Sequence, residues 1–144
     1  MAVPAVHPPT LPPEGIHLTA DLSGCRPAHP WMIEPQILRH ACLEAVTRAG
    51  LTAVGDRFHH FPPADASRLA QGGITGVVLL AESHLAVHTW PEHGVVTLDV
   101  FVCNMRGDNT SRAQQVLQAL IDGFAPGAQR VQVIRRGMPE ASST

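Results

Sequence analysis

Residues 73–103 read GITGVVLLAESHLAVHTWPEHGVVTLDVFVC, and this stretch decides the fold. Ile74 to Ala81 is a continuous apolar run bounded by turn signals, the pattern of a strand buried on both faces. His84 to Trp90 and Val95 to Val102 follow as two further strands, separated by a turn around Pro91 and Gly94. Three strands joined by turns this short predict an antiparallel sheet.

Working outward toward the N-terminus, Leu51 to Phe61 reads as another strand. It is joined to the apolar run by a loop, Phe61 to Gly72, whose twelve residues are long for a small domain and suggest a functional role. A helix precedes that strand. Pro35 suits its first position, Ile37, Leu38, Ala41, Cys42, Ala45, Val46 and Ala49 form its apolar face, and Gly50 stands where it should stop. Pro27 and Pro30 mark a loop, and Ile16, Leu18 and Ala20 alternate with His17, Thr19 and Asp21 as in a half-buried strand. On the C-terminal side, Ser111 and Gln114 read as a capping box for a helix with Ala113, Val116, Leu117, Leu120, Ile121 and Phe124 on one stripe. Gly127 separates it from a last strand, Val131 to Ile134. The order β-α-β-β-β-α-β predicts an α+β two-layer sandwich, a mostly antiparallel sheet with two helices on one face. We expect one domain over residues 15–137, flanked by a disordered Pro-rich tail at 1–14 and a loose tail at 138–144.

Composition removes several function classes. The 144 residues suffice for one domain with a core and are too few for two. Ten basic and twelve acidic residues give a formal net charge of -2, so a nucleic-acid or anionic-membrane surface is not expected. All ten basic residues are arginine. A chain without lysine cannot hold pyridoxal phosphate as an internal aldimine and cannot be a Walker-type phosphate binder. The three cysteines, Cys25, Cys42 and Cys103, have no CxxC spacing and suggest neither a disulfide framework nor a zinc ribbon. With no secretory signal pattern and no apolar run of membrane-spanning length, the expectation is a cytoplasmic protein.

The reactive side chains concentrate between Glu82 and Cys103. Ser83 falls at a strand junction with imidazoles nearby, which makes it a candidate nucleophile, although a serine there is ordinarily a turn residue. It lies in no GxSxG elbow. His84, Ala86 and His88 share a strand face, but His84, His88 and Cys103 match no common zinc spacing, and no metal is expected. His59 and His60 point to opposite faces of a strand and cannot chelate one ion together. Cys103 reads more readily as a small buried hydrophobe than as a reactive thiol, and Cys25 and Cys42 as structural. Trp90 and Phe61 are ordinarily core residues, though aromatics beside a long loop can stack a flat base. Spacing alone leaves these readings open.

The run Glu82-Ser83-His84-Leu85-Ala86-Val87-His88-Thr89-Trp90-Pro91-Glu92 resembles the self-cleaving segment of prokaryotic S-adenosylmethionine decarboxylase proenzymes. Gly15-Ile16-His17-Leu18 with Asp21-Leu22-Ser23-Gly24-Cys25 is similar to that family's opening strand, and Phe58-His59-His60-Phe61 to its FHxF segment. Gly73-Ile74-Thr75-Gly76-Val77-Val78 resembles its buried strand and Asp99-Val100-Phe101-Val102-Cys103 its cysteine strand, in the same order over roughly residues 15 to 137. The resemblance implies cleavage between Glu82 and Ser83. The Ser83 hydroxyl would attack the preceding carbonyl to give an ester, and elimination and hydrolysis would leave a pyruvoyl group, the covalent cofactor, which forms a Schiff base with the substrate amine and acts as electron sink. His88 matches the histidine assisting self-processing, and Thr75 stands where the family has a supporting serine. Cys103 matches the proton donor. Glu92 matches the carboxylate holding the ribose hydroxyls, and Phe61 and Trp90 match aromatics lining the nucleoside pocket. The implied product is an aminopropyl donor for polyamine (spermidine) synthesis, and the implied assembly is a homodimer or larger, with the site across a subunit interface.

Three departures bear on substrate. The loop after Phe61 is longer than usual, Val102-Cys103-Asn104 replaces Thr-Cys-Gly, and Thr75 replaces serine. Loops set specificity while a scaffold keeps its chemistry, so a pyruvoyl-dependent ornithine or arginine decarboxylase stays an alternative, with Asp65 as a carboxylate for the distal cation. A third reading is an unprocessed chain serving as a regulatory subunit.

Overall fold

Side-chain alternation builds the sheet and decides which of its faces is covered. The computed structural model describes residues 14–63 and 72–137. Its strands are β1 (Gly15–Ser23), β2 (Ala53–His60), β3 (Ile74–Leu80), β4 (Ser83–Trp90), β5 (Val95–Cys103) and β6 (Ala128–Arg136). Its helices are α1 (Pro30–Ile33), α2 (Pro35–Arg48) and α3 (Thr110–Phe124). The six strands form one sheet in the order β2-β3-β4-β5-β1-β6, with every neighbouring pair antiparallel. The α+β sandwich is as expected. Among the described residues no helix is long and apolar enough to cross a membrane.

One apolar row crosses five strands in register, Val78–Leu85–Val100–Leu18–Val133. Its first four residues are essentially sealed from water beneath the helices, each burial contributing roughly 1.5–3 kcal/mol. Leu38, Cys42, Ala45 and Val46 of α2 and the predicted stripe of α3 form the other layer of this core. Among the described residues no helix covers the opposite face of the sheet. Thr75 and Val77 on β3, His84 and His88 on β4, and Thr97, Asp99 and Phe101 on β5 stay half-exposed there. That face corrects the reading of Ile74–Ala81 as buried on both sides: its burial alternates, and Leu79 is 50% exposed.

Two more expectations change. The loop containing Pro27 and Pro30 carries the extra helix α1, with Pro30 at its first position and the His29 ring accepting the Trp31 N–H at 3.0 Å. Trp31 then lies edge-on to Phe124, 5.2 Å between ring centroids, over Gly123, where a Cβ would collide with the indole. The Ser111–Gln114 capping box does not form, because α3 starts at Thr110, two residues earlier than a cap at Ser111 would set it. Asn109 is its N-cap without a side-chain capping bond, and the Thr110 N–H donates to Asp108 Oδ1 at 2.9 Å.

Buried Thr89 ties the layers together. Its hydroxyl accepts the Ile74 N–H (2.9 Å) and donates to the Met32 carbonyl (2.8 Å), so the start of β3, the end of β4 and α1 share one polar knot. Gly94 closes the β4–β5 turn with φ 63°; a Cβ there would stand 2.7 Å from the Cys25 carbonyl oxygen. Of the tails expected at 1–14 and 138–144, residues 1–13 and 138–144 lie outside the described residues, as do residues 64–71 of the long loop with Asp65, whereas Glu14 is described and its carbonyl accepts the Asn104 N–H.

Candidate active site

The β3–β4 connection is a two-residue hairpin in which Leu80 pairs with Ser83. Hairpins this tight favour central residues with positive φ, normally glycine or asparagine. Here they are Ala81 and Glu82, which keep negative φ, and the irregularity falls on Ser83, with φ 153°. Such a backbone costs a non-glycine residue of order 1–3 kcal/mol and persists only where its surroundings impose it. Three hydrogen bonds do so. The Ala81 N–H donates to the Thr52 carbonyl (2.8 Å), the Thr52 N–H to Glu82 Oε1 (3.1 Å), and the Cys103 N–H to the Glu82 carbonyl (2.8 Å). The carbonyl preceding Ser83 is thereby polarised by a backbone donor, the geometry that stabilises negative charge developing on oxygen.

Glu82 and Cys103 line a cleft of about 500 Å³ with Met105, Arg106, Asn109 and Arg112. Cys103 is partly exposed there, whereas Cys25 and Cys42 are buried. Burial raises the Cys25 thiol above its usual range and pushes Cys42 up to about 12, so both are inert structural thiols.

The other predicted residues gather elsewhere. Phe61, Thr75, His88, Trp90 and Glu92 line a second cleft, of about 390 Å³. The Thr75 hydroxyl and His88 Nδ1 share a 2.6 Å hydrogen bond across the β3–β4 pair, which their register places directly opposite one another. Phe61 and Trp90 are 47% and 41% exposed, so they form a rim rather than core. The His60 ring bonds the Gly72 carbonyl (3.0 Å) and the Phe61 N–H donates to the Gly73 carbonyl (2.9 Å), closing the base of the long loop beside this cleft.

The two clusters sit toward opposite ends of β4. Ser83 and His88 are five residues apart on an extended strand, about 17 Å. His84 and His88 are about 13 Å apart on the same strand and cannot share a metal ion. The sequence reading missed this separation, and it missed Asn109, whose buried carboxamide contacts the Cys103 carbonyl (3.0 Å). The asparagine-rich turn after Cys103 was the available signal.

The profile of the S-adenosylmethionine decarboxylase family matches residues 16–137. The chain belongs to this family. The S-adenosylmethionine decarboxylase proenzyme of Archaeoglobus fulgidus is 37% identical over 123 residues, covering 85% of this chain and 97% of that protein. Its Aquifex aeolicus counterpart is 38% identical over 129 residues, covering 90% and 85%. The crystal structure of the adenosylmethionine decarboxylase from Aquifex aeolicus superposes with a TM-score of 0.75 at 36% identity, covering 92% of this chain and 98% of that one. Family membership makes the chain a decarboxylase, as the resemblance implied.

Proposed function

We propose that this chain is the precursor of a self-cleaving, pyruvoyl-dependent S-adenosylmethionine decarboxylase that acts as a homodimer. One observation carries the self-cleavage: a strained Ser83 follows a carbonyl already hydrogen-bonded by the Cys103 amide. Ser83 Oγ attacks that carbonyl carbon. The O–C bond forms, the Glu82–Ser83 C–N bond breaks, and the hydroxyl proton ends on the freed amine. The shift also releases the strain held at Ser83. Removal of the Ser83 Cα proton then expels the Glu82 carboxylate, and hydrolysis with loss of ammonia leaves the pyruvoyl group. When formed, that group supplies an electron-accepting carbonyl for decarboxylation of a bound amino acid. The residues around it fit this use, because Glu82, the residue bonded to Ser83, lines the cleft of about 500 Å³ and the partly exposed Cys103 on the same wall offers a proton donor.

His88 assists the processing, with Thr75 holding its Nδ1 and leaving Nε2 to exchange protons. The distance along β4 prevents this within one chain. Two copies packed on their uncovered sheet faces, about a two-fold axis through the middle of β4, bring His88 of the partner subunit to Ser83 at two equivalent sites. The same packing joins the cysteine cleft of one protomer to the aromatic cleft of the other. There Phe61 and Trp90 stack the adenine, Glu92 accepts the ribose hydroxyls, and Cys103 protonates the decarboxylated carbon. The product is an aminopropyl donor for polyamine synthesis.

Intact mass under denaturing, reducing conditions tests the cleavage. Expected are fragment 1–82 and a 62-residue remainder with a blocked end. A stable uncut chain would support the regulatory-subunit reading. Carbon dioxide released from ornithine or arginine, and none from S-adenosylmethionine, would overturn the substrate.

A further inference from the structure

The segment after Cys103 is held in an unusual way. Asn109 stands at the N-cap of α3, where an asparagine normally turns its side chain to the first free backbone amides of the helix. This one does not, and Asp108 takes the Thr110 N–H instead. The Asn109 carboxamide is buried and turned toward β5. Its Nδ2 donates to the Cys103 carbonyl (3.0 Å), and its Oδ1 accepts from Arg112 Nη1 (2.9 Å). The Asn109 backbone N–H donates to Asn104 Oδ1 (2.8 Å), and the Asn104 N–H donates to the Glu14 carbonyl (2.7 Å). Cys103 is therefore gripped at both peptide groups, its amide on the Glu82 carbonyl and its carbonyl on Asn109.

We infer that Asn109, locked by Asn104, is a positioning residue for Cys103. It holds the end of β5 so that the Cys103 N–H stays on the carbonyl Ser83 attacks and the thiol stays at the wall of the cleft. A helix cap forgone in favour of a bond to this one carbonyl is a local cost, and such costs are retained where function requires them. The inference rests on the self-cleavage proposed above.

Asn109→Asp tests it. Aspartate is an equally good N-cap and keeps an acceptor for Arg112, but it places an oxygen against the Cys103 carbonyl in place of the N–H donor. We expect self-cleavage of freshly folded precursor to slow about tenfold, the size of effect from losing a hydrogen bond and opposing two acceptors. Asn104→Gly should slow it about threefold, with the melting temperature little changed. As a readout independent of cleavage, Cys103 in uncleaved Ser83→Ala precursor should react several-fold faster with iodoacetamide when Asn109→Asp is added. Unchanged cleavage and unchanged Cys103 alkylation in both variants would overturn the inference. So would a uniform rise in alkylation of Cys25, Cys42 and Cys103, which marks general loosening of the fold. Should Asn109→Asp fail to fold, the same two readings on Asn104→Gly decide it. If the unaltered chain never cleaves, the proposed function fails, and the alkylation arm still judges the lock.

Discussion

Ser83 and His88 share strand β4 and cannot meet: five extended residues separate them by about 17 Å, while His88 is bound at 2.6 Å to Thr75 on the neighbouring strand. The motif that places both in eleven consecutive residues therefore describes two half-sites. Mixing variants checks this. Chains carrying Ser83→Ala or His88→Ala should each stay uncleaved alone. Co-expressed, about half of the His88→Ala chains should be cut, being those paired with an intact histidine, and no Ser83→Ala chain should be. Absence of cutting in the mixture, beside normal cutting of the unaltered chain, would defeat the composite site.

The backbone at Ser83 makes a second prediction. Glycine tolerates φ 153° and alanine does not. Neither variant can cleave, so their precursors can be compared by urea unfolding. Ser83→Gly should be more stable than Ser83→Ala by about 1–2 kcal/mol, despite the greater freedom of glycine in the unfolded chain. Equal stabilities would mean that the turn holds no strain.

Thr89 lies beside the aromatic cleft and belongs to the scaffold. Thr89→Val keeps the shape but leaves the Ile74 N–H and the Met32 carbonyl buried without partners. A loss of about 2–4 kcal/mol in denaturant unfolding is expected from two such groups.

Cys42 gives a pH signature. Its thiol is pushed up to about 12 by burial, so above pH 9 the folded chain binds more protons than the unfolded one. Stability contributed by the neutral thiol is complete below the ordinary value of 9.0 and is lost as pH rises toward 12, at up to about 1.4 kcal/mol per unit. Cys42→Ala should remove most of that slope, with Cys25, raised in the same direction, accounting for a smaller remainder. An unaltered slope would mean that Cys42 is not the group responsible.

The fold was legible because its determinants are local. Alternation in Ile16–Asp21 and His84–Trp90, the α3 stripe from Ala113 to Phe124 and the short turns each act within a few residues, and strands and helices follow from them. Less local features were misread. The alternating burial of β3 depends on helices that cover only one side of the sheet, and the start of α3 depends on Asp108 taking the role assigned to Ser111.

Residue identity at the site was also readable, through the run from Glu82 to Glu92, since the chemistry needs those groups in that order. Their distribution in space was not. A strand advances about 3.3 Å per residue, so neighbours in sequence become distant along β4, while Cys103, twenty positions after Ser83, returns to bond the carbonyl before it. Side-chain composition determined which reactions are open to this chain. Sheet register, set by burial of the apolar row through Val78, Leu85, Val100 and Leu18, decided which of those side chains can act together.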